Sequence, residues 1–259
     1  MRIARFTTGD EPRFGVVGTG DEEGVIAGLV GDPLYQGIEP TGERVAVDDV
    51  RLLAPVIPRS KVVCVGRNYA DHAAELGNDL PEEPLLFLKP NTSVVGPGDP
   101  ISYPRQSNDV HYEGELAVVI RRICRDVPAE RARDVILGYT VGNDVTARDL
   151  QKKDVQFTRA KGFDSFCPLG PWIETDLDAG DVELTTTLNG EVRQRGRTSQ
   201  MIFDVPTLIA HITSVMTLLP GDVVLTGTPA GVGPMQPGDD VAVSVQGIGV
   251  LTNKVVSRD

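Results

Sequence analysis

Two glutamates one residue apart, Glu113 and Glu115, interrupt the apolar run HYEGELAVVI. Side chains two positions apart on an extended strand share a face, so both carboxylates stand side by side in a hydrophobic segment. Like charges that close are unfavourable unless a cation neutralises them or one takes a proton. A half-exposed strand whose polar face carries two glutamates fits the same letters. Asp144 ends the run YTVGND just before a helical stretch, again among apolar residues, where an aspartate also reads as an N-cap. Three carboxylates offer only oxygen donors, the chemistry of a hard cation such as Mg²⁺, Mn²⁺ or Ca²⁺. Zinc prefers nitrogen or sulfur, and no His or Cys cluster supplies them.

A second pair is His72 and Glu75. The run RNYADHAAELG reads as a short helix, with Asn68 able to cap it and Gly77 able to end it. Residues three apart are neighbours on one helical face. A carboxylate beside an imidazole fixes its tautomer and raises its basicity, which makes a water-activating base. A solvated pair on an exposed helix is the plainer alternative. His211, among Leu208, Ile209 and Ile212, reads as a packed or flanking helix residue, and His111 as a group just outside the carboxylate cluster.

The elements that must hold these residues are short strands and few helices. MRIARFT, RFGVVG and EGVIAGLV read as strands, and VDDVRLLAPVIPRSK, with Pro55 and Pro58, as a connector. A boundary placed there separates a small N-terminal β-rich subdomain, 1–57, from a catalytic domain, 58–259. KVVCVG, PLLFLKP and HYEGELAVVI read as strands, PAERARDVI as a helix, and GYTVGNDVTARDLQKKD as a strand entering a helix over Thr146–Lys153. VELTTTLNGEVRQ is a hairpin turning at Asn189-Gly190. The clearest helix runs from Val205 through Leu208, Ile209, Ile212, Val215, Met216 and Leu219, capped by Asp204 and ended by Pro220-Gly221. DVVLTGTP, DVAVSVQGIG and VLTNKVV close the chain as strands. The fold class expected is α+β, β-dominated, without the regular alternation of a Rossmann fold or TIM barrel.

A length of 259 residues suits this arrangement, and 28 glycines and 19 prolines against seven phenylalanines favour turns over a helical bundle. A net charge of −12 argues against nucleic acid or an anionic membrane surface as partner. Cys64, Cys124 and Cys167 are too sparse for a disulfide framework. With no apolar leader at the start of the chain, a cytoplasmic location is expected.

VVCVGRNYADHAAELG, FLKP, HYEGELAVVI, GYTVGNDVTARDLQ, RAKGFDSFCPLGPW and LTGTPAGVG, in that order, resemble the fumarylacetoacetate hydrolase family across residues 60–250. The resemblance implies a mixed β-roll or barrel around a metal-bearing pocket, usually in a homodimer. It implies Glu113, Glu115 and Asp144 as ligands of Mg²⁺ or Mn²⁺, and Lys161 as the lysine beside the metal. It implies Arg67, Lys89, Gln151 and Thr228 as substrate contacts, and His72 with Glu75 as the water-activating pair on a mobile helix, for which Gly77 and the loop before Pro81 allow movement. Each has a plain alternative: Lys89 could snorkel at a strand end, Arg67 could lie on the surface, and Lys161 could pair with Asp164. Thr228 stands in TGTPAGVG, which looks like a phosphate loop but lacks the Gly-Lys-Ser/Thr ending and a following helix, so nucleotide binding is rejected.

The activity implied is metal-dependent hydrolysis of a C–C bond in small anionic 2,4-dioxo acids. Water attacks C4, the C3–C4 bond breaks, and a metal-stabilised enolate leaves, with Lys161 beside the oxyanion. The same enolate serves 2-hydroxyhepta-2,4-diene-1,7-dioate isomerisation, or decarboxylation and tautomerisation of oxaloacetate. A rival of another class is a non-catalytic β-domain holding a structural metal, whose coordination would be closed.

Overall fold

The strand Gly114–Ile120 is buried at every position, as a central strand covered on both faces requires. It pairs antiparallel with Ile136–Asn143 on one side and Val223–Leu225 on the other. In the computed structural model, which describes residues 1–9, 11–75 and 79–257, this ladder belongs to a twelve-stranded sheet, ten strands of it in one open path and two paired off that path. One flank runs through Cys167–Glu174 to Arg2–Thr7 and the N-terminal strands; the other runs through Val62–Gly66 to Leu85–Lys89. The β-dominated α+β architecture expected from the sequence is therefore the one that forms, with its main sheet open rather than closed into a barrel.

Leu116, Val118 and Ile120 pack on one side against Leu208, Ile209 and Ile212 of the helix Val205–Val215 and against Val243 and Val245. Ala117 and Val119 face the other way, onto Val62, Cys64, Val223 and Leu225. Below the site lies a five-stranded sheet built on the hairpin Glu183–Leu188 and Glu191–Arg197. Its turn is Asn189-Gly190 with φ of 53° and 81°, the positive values a two-residue turn of this kind demands. Among the described residues no helix is long and apolar enough to cross a membrane.

Several local expectations are corrected. The stretch read as a connector contains a strand, Arg51–Leu53, paired with Arg5–Thr7, and an unforeseen strand, Pro40–Ala46, joins the N-terminal sheet although nearly all of it is exposed. The helix expected in PAERARDVI forms over Ala129–Val135, wound as a 3₁₀ helix. Thr146–Ala147 is a strand against Val110–His111, so the following helix is Arg148–Asp154. The long helix stops at Val215: the Thr213 hydroxyl back-bonds to the Ile209 carbonyl, and Leu218 is captured by a reciprocal pair of hydrogen bonds with Cys124. Asn68 caps nothing. Its amide donates to the carbonyls of Phe203 and Thr226 and accepts from the Phe203 amide, tying three segments together. The helix Ala70–Glu75 is present, while the end expected at Gly77 lies outside the described residues.

Asp222 ties residues 60–61 to the strand after it. Its buried carboxylate accepts from the Ser60 hydroxyl at 2.7 Å, the Lys61 ammonium at 2.9 Å and the Leu219 amide at 2.9 Å. Burial alone would raise its pKa, but the donors from Lys61, Ser60 and Leu219 outweigh it and hold the carboxyl below the usual range. A depressed pKa means stability present above the unfolded value, near 4, and lost as pH falls through the folded value. Asp222→Asn should therefore destabilise by about 3 kcal/mol at neutral pH, because it strands the Lys61 ammonium. The gap to the unaltered protein should narrow in urea melts as pH drops from about 5 toward about 2. A gap independent of pH would contradict the assignment.

Candidate active site

The run expected as one strand, HYEGELAVVI, breaks at Glu113 into Val110–Tyr112 and Gly114–Ile120. The reason is local. The Glu113 amide donates to the side-chain oxygen of Asn143, and the Gly114 amide donates to that of Gln194, each at 3.0 Å. Two consecutive amides thus take side-chain acceptors, and the chain turns while keeping both carboxylates in one cavity. A Cβ at position 114 would stand 2.1 Å from the Thr186 hydroxyl, so only glycine allows the close approach. Asp144 is not an N-cap, since the helix it precedes starts four residues on and carries no side-chain cap. Its amide donates to the Glu113 carbonyl, which fixes the two residues side by side.

Glu113, Glu115 and Asp144 are all buried and bring one oxygen each within 4.8 Å of one another. Lys161 reaches Glu113 at 2.8 Å and Asp144 at 2.6 Å, with its ammonium 4.9 Å from the centre of the Phe87 ring. Lys89 stands behind Asp144, donating to that carboxylate at 2.5 Å and to the Val145 carbonyl at 3.0 Å. Burial lowers the Lys161 pKa less than Asp144 and Glu113 raise it, so it stays an ammonium. Burial likewise raises Glu113, but Lys161 and Arg148 outweigh it and leave the acid well below its ordinary range. Glu115 goes the opposite way: burial, then Asp144 and Glu113, push it well above. The Gly227 amide donates to it at 2.7 Å, and no cation bridges it among the described residues.

Those features fit a divalent cation. The donors are all oxygen, as Mg²⁺ and Mn²⁺ prefer, and Glu115 is a buried carboxylate short of positive charge. A cavity of about 250 Å³ opens directly onto the three acids. Arg67, His72, Gln151 and Thr228 line it with Lys161, whereas Lys89 does not. Arg67 has a positive φ of 57° where the strand Val62–Gly66 ends. Thr228 uses its hydroxyl to donate to the Gly114 carbonyl and accept from the Gln194 amide, both at 2.8 Å. His72 is buried, and its Nδ1 lies 3.3 Å from Glu75, whose half-exposed carboxylate also accepts the Gly231 amide at 3.1 Å. His111 pairs with Asp109 at 2.8 Å and does not line the cavity, and His211 is half-buried on the long helix, as expected of both.

Arg148 was not foreseen. It is 5% exposed, donates to Glu113 through Nη2, and reaches Gln151 through Nη1 at 2.7 Å. The signal was its place three residues before Gln151 on one helical face.

Residues 61–256 match the fumarylacetoacetate (FAA) hydrolase C-terminal family, and residues 1–55 match the Rv2993c-like N-terminal family. The chain is 52% identical to Protein Rv2993c of Mycobacterium tuberculosis over 263 residues, covering 100% of this chain and 99% of that one. It is 47% identical to a mitochondrial oxaloacetate decarboxylase of Dictyostelium discoideum over 195 residues, 73% of this chain and 89% of that protein. A solved 5-carboxymethyl-2-hydroxymuconate delta-isomerase from Mycobacterium smegmatis superposes with a TM-score of 0.92 at 53% identity, covering 100% of both chains. The family match over residues 61–256, with relatives this similar along almost their full length, places the chain in the fumarylacetoacetate hydrolase family.

Proposed function

We propose that the protein is a divalent-metal-dependent enzyme that moves a proton at C3 of small 2-oxo diacids, interconverting keto and enol forms. The observation that carries this is charge balance. Glu113, Glu115 and Asp144 are matched by Lys89, Lys161 and Arg148, all nearly inaccessible to water. Buried ions must be compensated. Adding a divalent cation leaves two positive charges, which a dianionic ligand cancels and a monoanion does not. Arg67 and Lys152 line the same cavity and form no ion pair among the described residues, which suits a far carboxylate. The relatives named for oxaloacetate and for a carboxymethyl-hydroxymuconate act, by those names, on polycarboxylates. A cavity opening onto the acids also suits a catalytic site better than a closed structural one.

A cation held by Glu113, Glu115 and Asp144 would supply Lewis-acid polarisation of the ligand's carboxylate and keto oxygens. Lys161 donates toward the oxygen on which negative charge grows, a place where preorganised charge acts strongly. Arg148 and Gln151 hold each other on the wall, and Phe87, Phe157 and Leu85 exclude water. His72 carries the only imidazole among the lining residues, and Glu75 orients it to take or return the C3 proton.

Hydrolytic C–C cleavage of 2,4-dioxo acids is the second reading, favoured by the same His72–Glu75 pair, which could equally act on water. A panel of oxaloacetate, a dienol diacid and a monocarboxylate acylpyruvate, each with Mg²⁺, decides. Diacids should exceed the acylpyruvate in kcat/KM by about tenfold or more, the worth of roughly one pKa unit of charge pairing. Equal or better turnover of the acylpyruvate would overturn the diacid reading. Lys161→Met, which keeps length without charge, should lower kcat by about 10²–10³-fold while divalent-metal affinity survives; a loss under about threefold would remove Lys161 from the chemistry.

A further inference from the structure

The segment between Leu225 and Gly233 joins Glu115 at one end to Glu75 at the other. Gly227 donates to Glu115, and Thr228 donates to the Gly114 carbonyl between the two glutamates. The fully buried Gln194 holds Thr228 and the Pro229 carbonyl, each at 2.8 Å, and accepts from Gly114 at 3.0 Å. At the far end, the Gly231 amide donates to both oxygens of Glu75, at 3.1 and 3.2 Å. The Gly231 carbonyl in turn accepts the Tyr112 hydroxyl at 3.1 Å. Gly231 has φ +99°, and a Cβ there would stand 2.1 Å from the Arg193 carbonyl, so the turn is pressed against the strand below it.

We propose that Tyr112 is a positioning residue: its hydroxyl, through the Gly231 main chain, holds Glu75 in place and so aims the His72 imidazole. This rests on the reading of His72 as the proton-moving group. Tyr112 is 3% exposed and does not line the cavity, so it acts only through what it holds. Glu75 stands on a six-residue helix with its side chain 36% exposed, and such a carboxylate needs an outside anchor to keep one rotamer. The anchor is the Gly231 amide. Gly233 pairs with Tyr112 in the adjoining three-stranded sheet, so ring and turn move as one unit. A carboxylate fixed at Nδ1 accepts its proton and leaves Nε2 as the base. Tyr112 also precedes Glu113 in the chain, which joins the placement of the acids to the aim of the base.

The experiment is a double-mutant cycle on the full-length, Mg²⁺-loaded enzyme with a 2-oxo diacid, using Tyr112→Phe, Glu75→Gln and both together. Tyr112→Phe keeps the ring and its packing, and Gly231 keeps its amide. Loss of one neutral hydrogen bond should lower kcat about fivefold, with KM, Mn²⁺ affinity and melting temperature unchanged. In the Glu75→Gln background the same substitution should have no further effect. A second readout needs no turnover: ¹⁵N spectra of the imidazoles, in which His72 should move from a single tautomer to a mixture in Tyr112→Phe. An equal loss of kcat in both backgrounds, or an unchanged His72 spectrum, would overturn the proposal. Should the unaltered protein turn over no 2-oxo acid, the functional reading falls, while the spectra still decide whether Tyr112 positions the imidazole.

Discussion

Glu115→Gln is expected to abolish turnover and to weaken Mn²⁺ binding by more than about 10²-fold. Removing a partner outside the ligand set commonly costs 10–100-fold in metal affinity, and Glu115 is placed within it. The three acids do not contribute alike. Glu113 and Asp144 already have Lys161, Lys89 and Arg148 as counter-ions, so each retains compensation without a metal. Among the described residues Glu115 has the Gly227 amide as donor and no cation, and burial with its acidic neighbours pushes its pKa well above normal. A cation would therefore gain most from this oxygen. The glutamine keeps the shape and can still accept from Gly227, so folding should survive. Chelation should likewise remove activity, with Mg²⁺ or Mn²⁺ restoring it better than Zn²⁺, which prefers nitrogen and sulfur. Full turnover in a metal-stripped preparation would end the metal-dependent reading.

The strands were legible wherever a chain segment had a strong period or a diagnostic turn. Asn189-Gly190 announced its hairpin because few residue pairs accept two positive φ values in succession. The strand Gly114–Ile120 announced itself by unbroken apolar letters. What stayed hidden depends on partners far away in sequence. Pro40–Ala46 is exposed along almost its whole length and is a strand because Val25–Leu29 pairs with it. Asn68 looked like a cap, but Phe203 and Thr226, more than a hundred residues on, claim all of its amide. The acids of the site were readable because a carboxylate in an apolar run demands an explanation. Gln194 and Tyr112 were not, since a lone glutamine or tyrosine reveals nothing until its distant partner is known, and Arg148 offered only its spacing to Gln151. The break at Glu113 was invisible for the same reason: it is made by the side chains of Asn143 and Gln194.

His72→Ala should lower tautomerisation of oxaloacetate by about 10²–10⁴-fold, the usual contribution of a positioned general base. Decarboxylation of the same ligand should fall by less than about tenfold, because its bond-breaking step needs electron withdrawal and no base. Both outcomes can be read from one sample, so errors in folding or protein concentration cancel. Glu75→Gln should give a smaller loss in the same direction, since a neutral amide pairs with either tautomer instead of fixing one and stabilises the imidazolium less. Neither variant should lose Mn²⁺ or oxalate, because the three acids and Lys161 are untouched. Geometry makes the outcome sharp: His72 is buried on the cavity wall, and Lys161 is already held by two carboxylates at 2.8 and 2.6 Å. An ammonium so engaged is a poor base, which leaves the imidazole without a substitute. If acylpyruvate cleavage collapses while tautomerisation survives, the pair activates water and hydrolysis is the true reaction. If both products of oxaloacetate persist, His72 is a wall residue with no part in the chemistry, and the proton must be moved by another group in the cavity.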